Sequence, residues 1–389
     1  MTPSAAWSII YPTKGADKMN LNETLTRIAS KVSAEANRLG EKIPYIPDET
    51  GHYTDTDNIY WWTNGFWAGM LWQLYHATGN ELFKKTAEYS EKRLDSALDG
   101  FEYIDHDAGF LWLHTAGANY RLTGNKRSER RLIHAASTLA GRYNPDLKII
   151  RAWDGQWMTG FDTVGGAIID TMMNLPLLYL ASEITEDPRF KSVAMRHADT
   201  MLQYMLRPDG SSNHQIVFDI NTGELIGTPG GQGYASGSSW SRGQAWAIYG
   251  FALSYRHTKE TRYLDAAKRA AGYFISNAAL TGYVPLADFR APEKPVYFDT
   301  TAGAAAACGL LEISEHVSDL EKNMYIINAE RLLEAVERDW CDFNTDTDGI
   351  VGGGSVSYHE NKHHEKIIYG DYFFTEAVLR LLGKSFLIW

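Results

Sequence analysis

Two kinds of helical segment alternate along the chain. In one, apolar side chains occupy nearly every position: residues 64–77, 109–122, 165–184, 242–256, 300–316 and 370–382. Segments apolar on all faces belong inside a protein. In the other, apolar residues recur at helical spacing between charged ones, over residues 21–39, 81–97, 128–143, 188–205, 263–277 and 321–340, which buries one face only. Start and stop signals agree. Asn22 is placed to cap the first helix, Asp187-Pro188 joins an N-cap to a proline at the first helical position, and Thr78-Gly79-Asn80 and Thr123-Gly124-Asn125 turn the chain. Six screened helices inside six amphipathic ones predict a toroid of helical hairpins, an all-α (α/α)6 barrel. It is expected as one domain over residues 19–389 behind a tail over residues 1–18, with the last inner helix pairing with the first outer one.

Long Gly- and aromatic-rich loops precede the inner helices, at residues 99–107, 144–164, 207–241, 282–299 and 342–369. They gather on one rim, where binding and catalytic groups tend to sit. A hairpin of residues 214–218 with 225–227 is expected across Asn221-Thr222-Gly223.

Composition narrows the function. Twelve Trp and 22 Tyr are many for a core alone, and sugar sites use such rings as stacking platforms. The 48 acidic residues outnumber the 37 basic ones, a net charge of -11, which argues against a nucleic acid or an anionic membrane as partner. A small anionic substrate stays open, because one Arg can set the local field. No run reaches the roughly 18 apolar residues of a membrane span, and the first residues show neither a basic n-region nor an apolar h-region. A cytoplasmic protein is expected, or a periplasmic one if a leader has been removed. Cys308 and Cys341 supply neither metal-site spacing nor a disulfide framework. His363-His364 has no third ligand at metal spacing and reads as a solvated loop.

Within Gly165-Gly166-Ala167-Ile168-Ile169-Asp170-Thr171-Met172-Met173-Asn174, one carboxylate stands among apolar neighbours. Desolvation there would raise the Asp170 pKa and keep it able to donate a proton; a first-turn helix cap explains it equally well. Asp107 occupies the equivalent place, where a long loop enters an inner helix. Two carboxylates on one barrel rim suit glycosidic chemistry, and capping is again the alternative. A third stretch, Gly230-Gly231-Gln232-Gly233-Tyr234 followed by Trp240-Ser241-Arg242-Gly243-Gln244-Ala245-Trp246, sets a planar cation and two indoles at the mouth of another inner helix. Arg can grip a carboxylate with two parallel hydrogen bonds. The absence of a Gly-x-x-x-x-Gly-Lys pattern argues against nucleotide binding.

Taken together, His106-Asp107-Ala108-Gly109-Phe110, Ile168-Ile169-Asp170-Thr171-Met172-Met173-Asn174, Gln232-Gly233-Tyr234 and the Trp-x-Arg-Gly-Gln-Ala-Trp stretch from Trp240 resemble the unsaturated glucuronyl hydrolases of glycoside hydrolase family 88, over most of the chain from about Trp61 onward. The resemblance implies an (α/α)6 barrel, no metal or cofactor, and an unsaturated uronyl oligosaccharide, left by a polysaccharide lyase, as substrate. It implies that Asp170 protonates C4 of the enol ether and then serves as base for the water added at C5, while Asp107 holds ring hydroxyls and influences the ionisation of Asp170. His214, Gln232 and Arg242 match positions around the uronate. Trp240, Trp246, Trp153 or Trp157, and Trp61 or Trp62, match its walls, and His106, Phe110, Gly233, Ser236 and Tyr358 are carried over as further binding positions. A monomer or weak homodimer is expected.

One departure bears on substrate. Members accepting sulfated fragments carry Ser-Trp-His-Ser-Gly-Lys near the C-terminus, where this chain has Ser357-Tyr358-His359-Glu360-Asn361-Lys362. Glu360 in place of the second serine predicts poor use of 6-sulfated units. Alternative readings are an unsaturated rhamnogalacturonyl hydrolase, a sugar epimerase needing facing histidines, and a non-catalytic sugar-binding protein with no use for Asp170.

Overall fold

The computed structural model describes residues 18–100, 104–154 and 162–389. In chain order its helices are α1 (Leu21–Leu39), α2 (Phe66–Thr78), α3 (Glu81–Arg93), α4 (Asp95–Asp99), α5 (Ala108–Trp112), α6 (Ala118–Thr123), α7 (Lys126–Gly141), α8 (Leu175–Thr185), α9 (Pro188–Tyr204), α10 (Ser241–Thr258), α11 (Thr261–Ala279), α12 (Thr300–Ser314), α13 (Asp319–Trp340) and α14 (Ile368–Leu381). A π-helical turn, Leu113–Gly117, joins α5 to α6, so these form one inner helix. The inner ring is then α2, α5–α6, α8, α10, α12 and α14. The outer ring is α1, α3, α7, α9, α11 and α13, and α14 closes the toroid by packing on α1 and α2. This is the expected (α/α)6 barrel. Its inner helices are mostly apolar because they are enclosed: every residue of α12 is buried. Outer helices such as α7 bury one face only, with Leu132, Ala135, Ala136 and Leu139 inward.

Local differences have local causes. Asn20, not Asn22, caps α1, accepting from the Glu23 N–H. The outer helix expected over residues 81–97 breaks at Leu94 into α3 and α4. The segment expected as one helix over residues 165–184 begins instead with a strand, β3 (Gly166–Ile168), and a 3-10 turn (Ile169–Met173) before α8. Strand β3 pairs antiparallel with β4 (Gln215–Phe218), and β4 with β5 (Leu225–Gly227), which is the hairpin expected from sequence with one extra strand. A minimal ribbon, β1 (Tyr143–Asn144) with β2 (Ile149–Ile150), follows α7. Among the described residues, no helix is long and apolar enough to cross a membrane.

Two features close the barrel. After α14 the chain returns beneath the inner ring, so that Trp389 packs between Phe373, His114 and Tyr372 and its indole N–H donates to Glu376. Beside α14, the fully buried Glu35 accepts from the Gly349 N–H at 2.8 Å, while Asp371 accepts from the Ile350 and Val351 N–H groups and the Tyr53 hydroxyl. These two acids hang the 342–351 segment on α1 and α14. Burial, reinforced by the charge of Asp371, pushes the Glu35 pKa up to about 8.

A pKa raised by folding means that the folded chain keeps a proton the unfolded chain loses. The contribution of Glu35 to stability is therefore undiminished below the unfolded value of about 4.3, and falls as pH rises from there toward 8. Glu35→Gln should flatten the decline of the unfolding midpoint measured from about pH 5 to about pH 8. An unchanged pH slope would contradict this account.

Candidate active site

The loops on the rim enclose a cavity of about 930 Å³. Asp107 reaches it from a tight turn in which the Asp105 carboxylate accepts the Asp107 N–H at 2.8 Å. Asp170 reaches it from the 3-10 turn after β3, whose Ile169 N–H donates to the His214 carbonyl and so ties the turn to β4. Neither acid caps a helix through its side chain, which removes the structural alternative for both. Asn174 links them instead. Its Nδ2 donates to Asp107 Oδ1 at 3.1 Å and to the Asp170 carbonyl at 3.2 Å, while its Oδ1 accepts the Phe110 N–H at 2.8 Å. Gly109 permits this approach, because a Cβ there would sit 2.6 Å from Asn174 Cα.

Two histidines flank the acids. His106 Nε2 lies 3.4 Å from Asp107 Oδ2 and its Nδ1 lies 3.1 Å from the Thr171 hydroxyl. Burial pulls the His106 pKa down to about 3, so its imidazole is neutral. His214 Nε2 lies 3.4 Å from Asp170 Oδ2, an oxygen with no hydrogen-bond partner. The Gln232 N–H donates to His214 Nδ1 at 3.0 Å, and the same nitrogen lies 3.3 Å from the Gly230 carbonyl, so the ring is held with Nε2 toward Asp170. Gly231 makes room for that bond: its φ is +57°, and a Cβ would meet His214 Nδ1 at 2.1 Å.

The carboxyl driven toward its protonated form is Asp107. Burial raises its pKa well above the usual range, helped by the charges of Asp105 and Asp170. Burial also raises Asp105, to about 6.

Of the other expected positions, His106, Trp61, Trp62, Trp153, His214, Gln232, Gly233 and Arg242 line the cavity with the two acids. Five do not. Trp246 and Phe110 are buried against each other and the core, 5.7 Å between ring centroids, one helical turn below the floor. Trp240 lies behind the wall, its ring against His214 at 4.5 Å and beneath the Arg242 guanidinium. The Ser236 hydroxyl donates to the Thr228 carbonyl outside the cup. Tyr358 packs edge-on against Tyr234 and Tyr297 behind the rim. Trp157 lies outside the described residues.

Arg242, in the lining, is also tied to the loops around it. Its Nη1 donates to Asp299 at 2.5 Å and to the Ser355 carbonyl at 2.6 Å, and its Nη2 to the Val356 carbonyl at 2.6 Å. Three of its five N–H donors are thereby committed, while its buried Nε has no hydrogen-bond partner among the described residues. Arg242 anchors the 355–360 segment over the cavity, helped by Gln232, whose amide donates to the Val356 carbonyl and whose own carbonyl accepts the Tyr358 N–H. His363 is not a solvated loop residue: it stacks on Tyr297 at 3.6 Å and lies 3.0 Å from the Ser355 hydroxyl.

Sequence reasoning missed Tyr45, Asn58, Tyr60, Asp154 and Tyr369 in the lining; only the density of aromatics before α2 hinted at the first three. Among the described residues, Asp105, His106 and Asp107 alone bring three ligand-type atoms within 4.8 Å of one another. Asp105 Oδ1 is taken by the Asp107 N–H and Asp107 Oδ1 by Asn174.

Comparison with known proteins matches this architecture. The profile of Glycosyl Hydrolase Family 88 matches residues 40–279. The unsaturated glucuronyl hydrolase of Bacillus sp. (strain GL1) is 36% identical over 353 residues, 88% of this chain and 92% of its own. An unsaturated chondroitin disaccharide hydrolase of Streptococcus agalactiae serotype III (strain NEM316) is 30% identical, covering 96% and 94%. The crystal structure of an unsaturated glucuronyl hydrolase responsible for the degradation of glycosaminoglycan, from Bacillus sp. GL1, superposes with a TM-score of 0.87 at 34% identity, over 93% of this chain and 96% of that one. Paired acids in a cup on an (α/α)6 barrel, together with these matches, place the chain in glycosyl hydrolase family 88 as a glycosidase.

Proposed function

We propose that the cup takes the non-reducing 4,5-unsaturated uronyl unit of an oligosaccharide produced by a polysaccharide lyase, and that Asp170 hydrates its C4=C5 enol ether. The observation that carries this is Asp170 Oδ2, which has no hydrogen-bond partner in a cavity it shares with Asp107 and His214. Asp170 protonates C4 and leaves an oxocarbenium shared by C5 and the ring oxygen. As carboxylate it then takes the proton of a water that adds at C5. The resulting hemiketal opens to a C5 ketone, breaking the bond from C5 to the ring oxygen. C1 is then a hemiacetal, which releases the remaining sugar as an alcohol. The names of the relatives support this substrate class.

Incubation with unsaturated disaccharides from chondroitin, hyaluronan, heparin, gellan and xanthan, followed by loss of the alkene absorbance, tests the reading. At least one should be consumed; retention of the absorbance with all of them would overturn it. The raised pKa of Asp107 favours a second reading in which the acids exchange roles, and a far more severe lesion in Asp107→Asn than in Asp170→Asn would support that instead.

Glu360 is exposed at the cavity mouth, next to His359. Its charge opposes a sulfate ester there. Chondroitin disaccharide without sulfate should be turned over roughly tenfold faster than its 6-sulfated form, a difference of about 1.4 kcal/mol, and Glu360→Ser should narrow the gap. Preference of the unmodified enzyme for the sulfated substrate would refute this.

A further inference from the structure

Arg142, the residue that ends outer helix α7, does not line the cavity, yet its guanidinium gathers acceptors from two separate active-site segments. Nη1 donates to the Ile104 carbonyl at 3.2 Å, just before Asp105-His106-Asp107. Nε donates to the Arg151 carbonyl at 2.9 Å and Nη2 to the Ala152 carbonyl at 3.2 Å, and Nη1 pairs with the Asp154 carboxylate at 2.8 Å. The side chain is 8% exposed, so its bonds to the three carbonyls are partly shielded from water, and only the pair with Asp154 lies toward solvent. Direct bonds complete the seam: the His106 N–H donates to the Ala152 carbonyl, and the Ala152 N–H to Gly166 of β3. Trp153, a cavity wall, meets His106 edge-on at 5.6 Å.

We infer that Arg142 is a positioning residue of the active site, a clamp that sets the turn carrying Asp107 against the wall carrying Trp153. It touches no substrate atom and acts through the two segments it joins. Only a planar fork reaches all four acceptors. A lysine at this position keeps the charge but offers one point of contact. Displacing an acid or a sugar-stacking ring by an ångström costs on the order of a hundredfold in catalysis.

The kinetic part of the test rests on the function proposed above. Arg142→Ala should lose about a hundredfold in kcat/KM, divided between a raised KM, from the displaced Trp153, and a lowered kcat, from the displaced Asp107. Guanidinium ion at sub-denaturing concentration should restore part of that loss, and Arg142→Lys should stay impaired. A merely structural role would lower the active fraction, with kcat reduced, KM unchanged and no recovery on adding guanidinium, which would overturn the inference. Amide hydrogen exchange gives an answer independent of substrate. In Arg142→Ala, the amides of His106 and Ala152 should exchange faster together, while those of β4 and β5 keep their rate. Unchanged exchange at His106 and Ala152 would overturn the clamp even in an active enzyme. If the wild-type enzyme consumes no unsaturated disaccharide, the functional reading fails and exchange alone decides the clamp.

Discussion

Asp170→Asn should leave the barrel folded and turnover lower by about 10²- to 10⁴-fold, the range that a positioned general acid contributes. That corresponds to roughly 3 to 5 kcal/mol of transition-state stabilisation. The fold should tolerate the change because the Asp170 carboxylate makes no hydrogen bond that holds a segment in place and faces His214, 3.4 Å away. It caps no helix, its Oδ2 has no hydrogen-bond partner, and the link from its turn to the rest of the site runs through its backbone carbonyl, which accepts from Asn174. An amide of the same shape keeps those contacts but has no acidic proton for a carbon atom. The loss should fall on kcat, with unchanged thermal unfolding showing that the lesion is chemical. A variant retaining more than about a tenth of the wild-type turnover would rule out Asp170 as the acid.

The largest stability effect is expected at the far end of the barrel. Trp389 is 1% exposed and stacks parallel to Phe373, with interplanar angle 3°, while His114 and Tyr372 meet it edge-on. Its carbonyl accepts from Arg121 at 3.1 Å, and its indole N–H donates to Glu376, which also accepts from the Tyr249 hydroxyl. Trp389→Ala would empty an indole-sized space among inner-ring side chains that are already closely packed, and would leave a Glu376 oxygen unpaired. Removing a buried Trp of this kind costs about 3 to 5 kcal/mol, read as a shift in the denaturant midpoint. Trp389→Phe keeps the stacking and loses only the hydrogen bond, so it should cost about 1 to 2 kcal/mol. The lesion should also reach the site, since Trp389 packs against Phe110, three residues beyond Asp107. A shift below about 1 kcal/mol for Trp389→Ala would show that this end of the barrel relaxes without it.

The ring order was legible because its cause is a pattern. A helix such as α12 can be apolar on every face only if other helices enclose it, and α7 shows its single buried stripe directly. The strand at Gly166–Ile168 was hidden for a related reason. It is buried on both faces, so its run of apolar residues looks like the helix that follows, and periodicity cannot separate the two over so short a length. The acids and histidines of the site were found by their motifs, but depth was not. Arg242 and Trp246 are one turn apart on α10, which places the first at the cavity and the second below its floor. The partner of Arg242 was illegible too. Asp299 lies 57 residues away, at the start of α12, and only the closed toroid brings the two together. The Asp107–Asn174 bond spans 67 residues in the same way, and Arg142 reads in the sequence as no more than the end of a helix.

The central claim is that a carboxylic acid delivers its proton to a ring carbon, not to a glycosidic oxygen. Nuclear magnetic resonance of the product formed in deuterium oxide tests this most directly. The account predicts that the released sugar has lost its C4=C5 double bond, carries one solvent-derived deuterium at C4 and has a ketone at C5. A released uronate with the alkene intact and no deuterium at C4 would show ordinary displacement at the anomeric carbon, and would contradict the account.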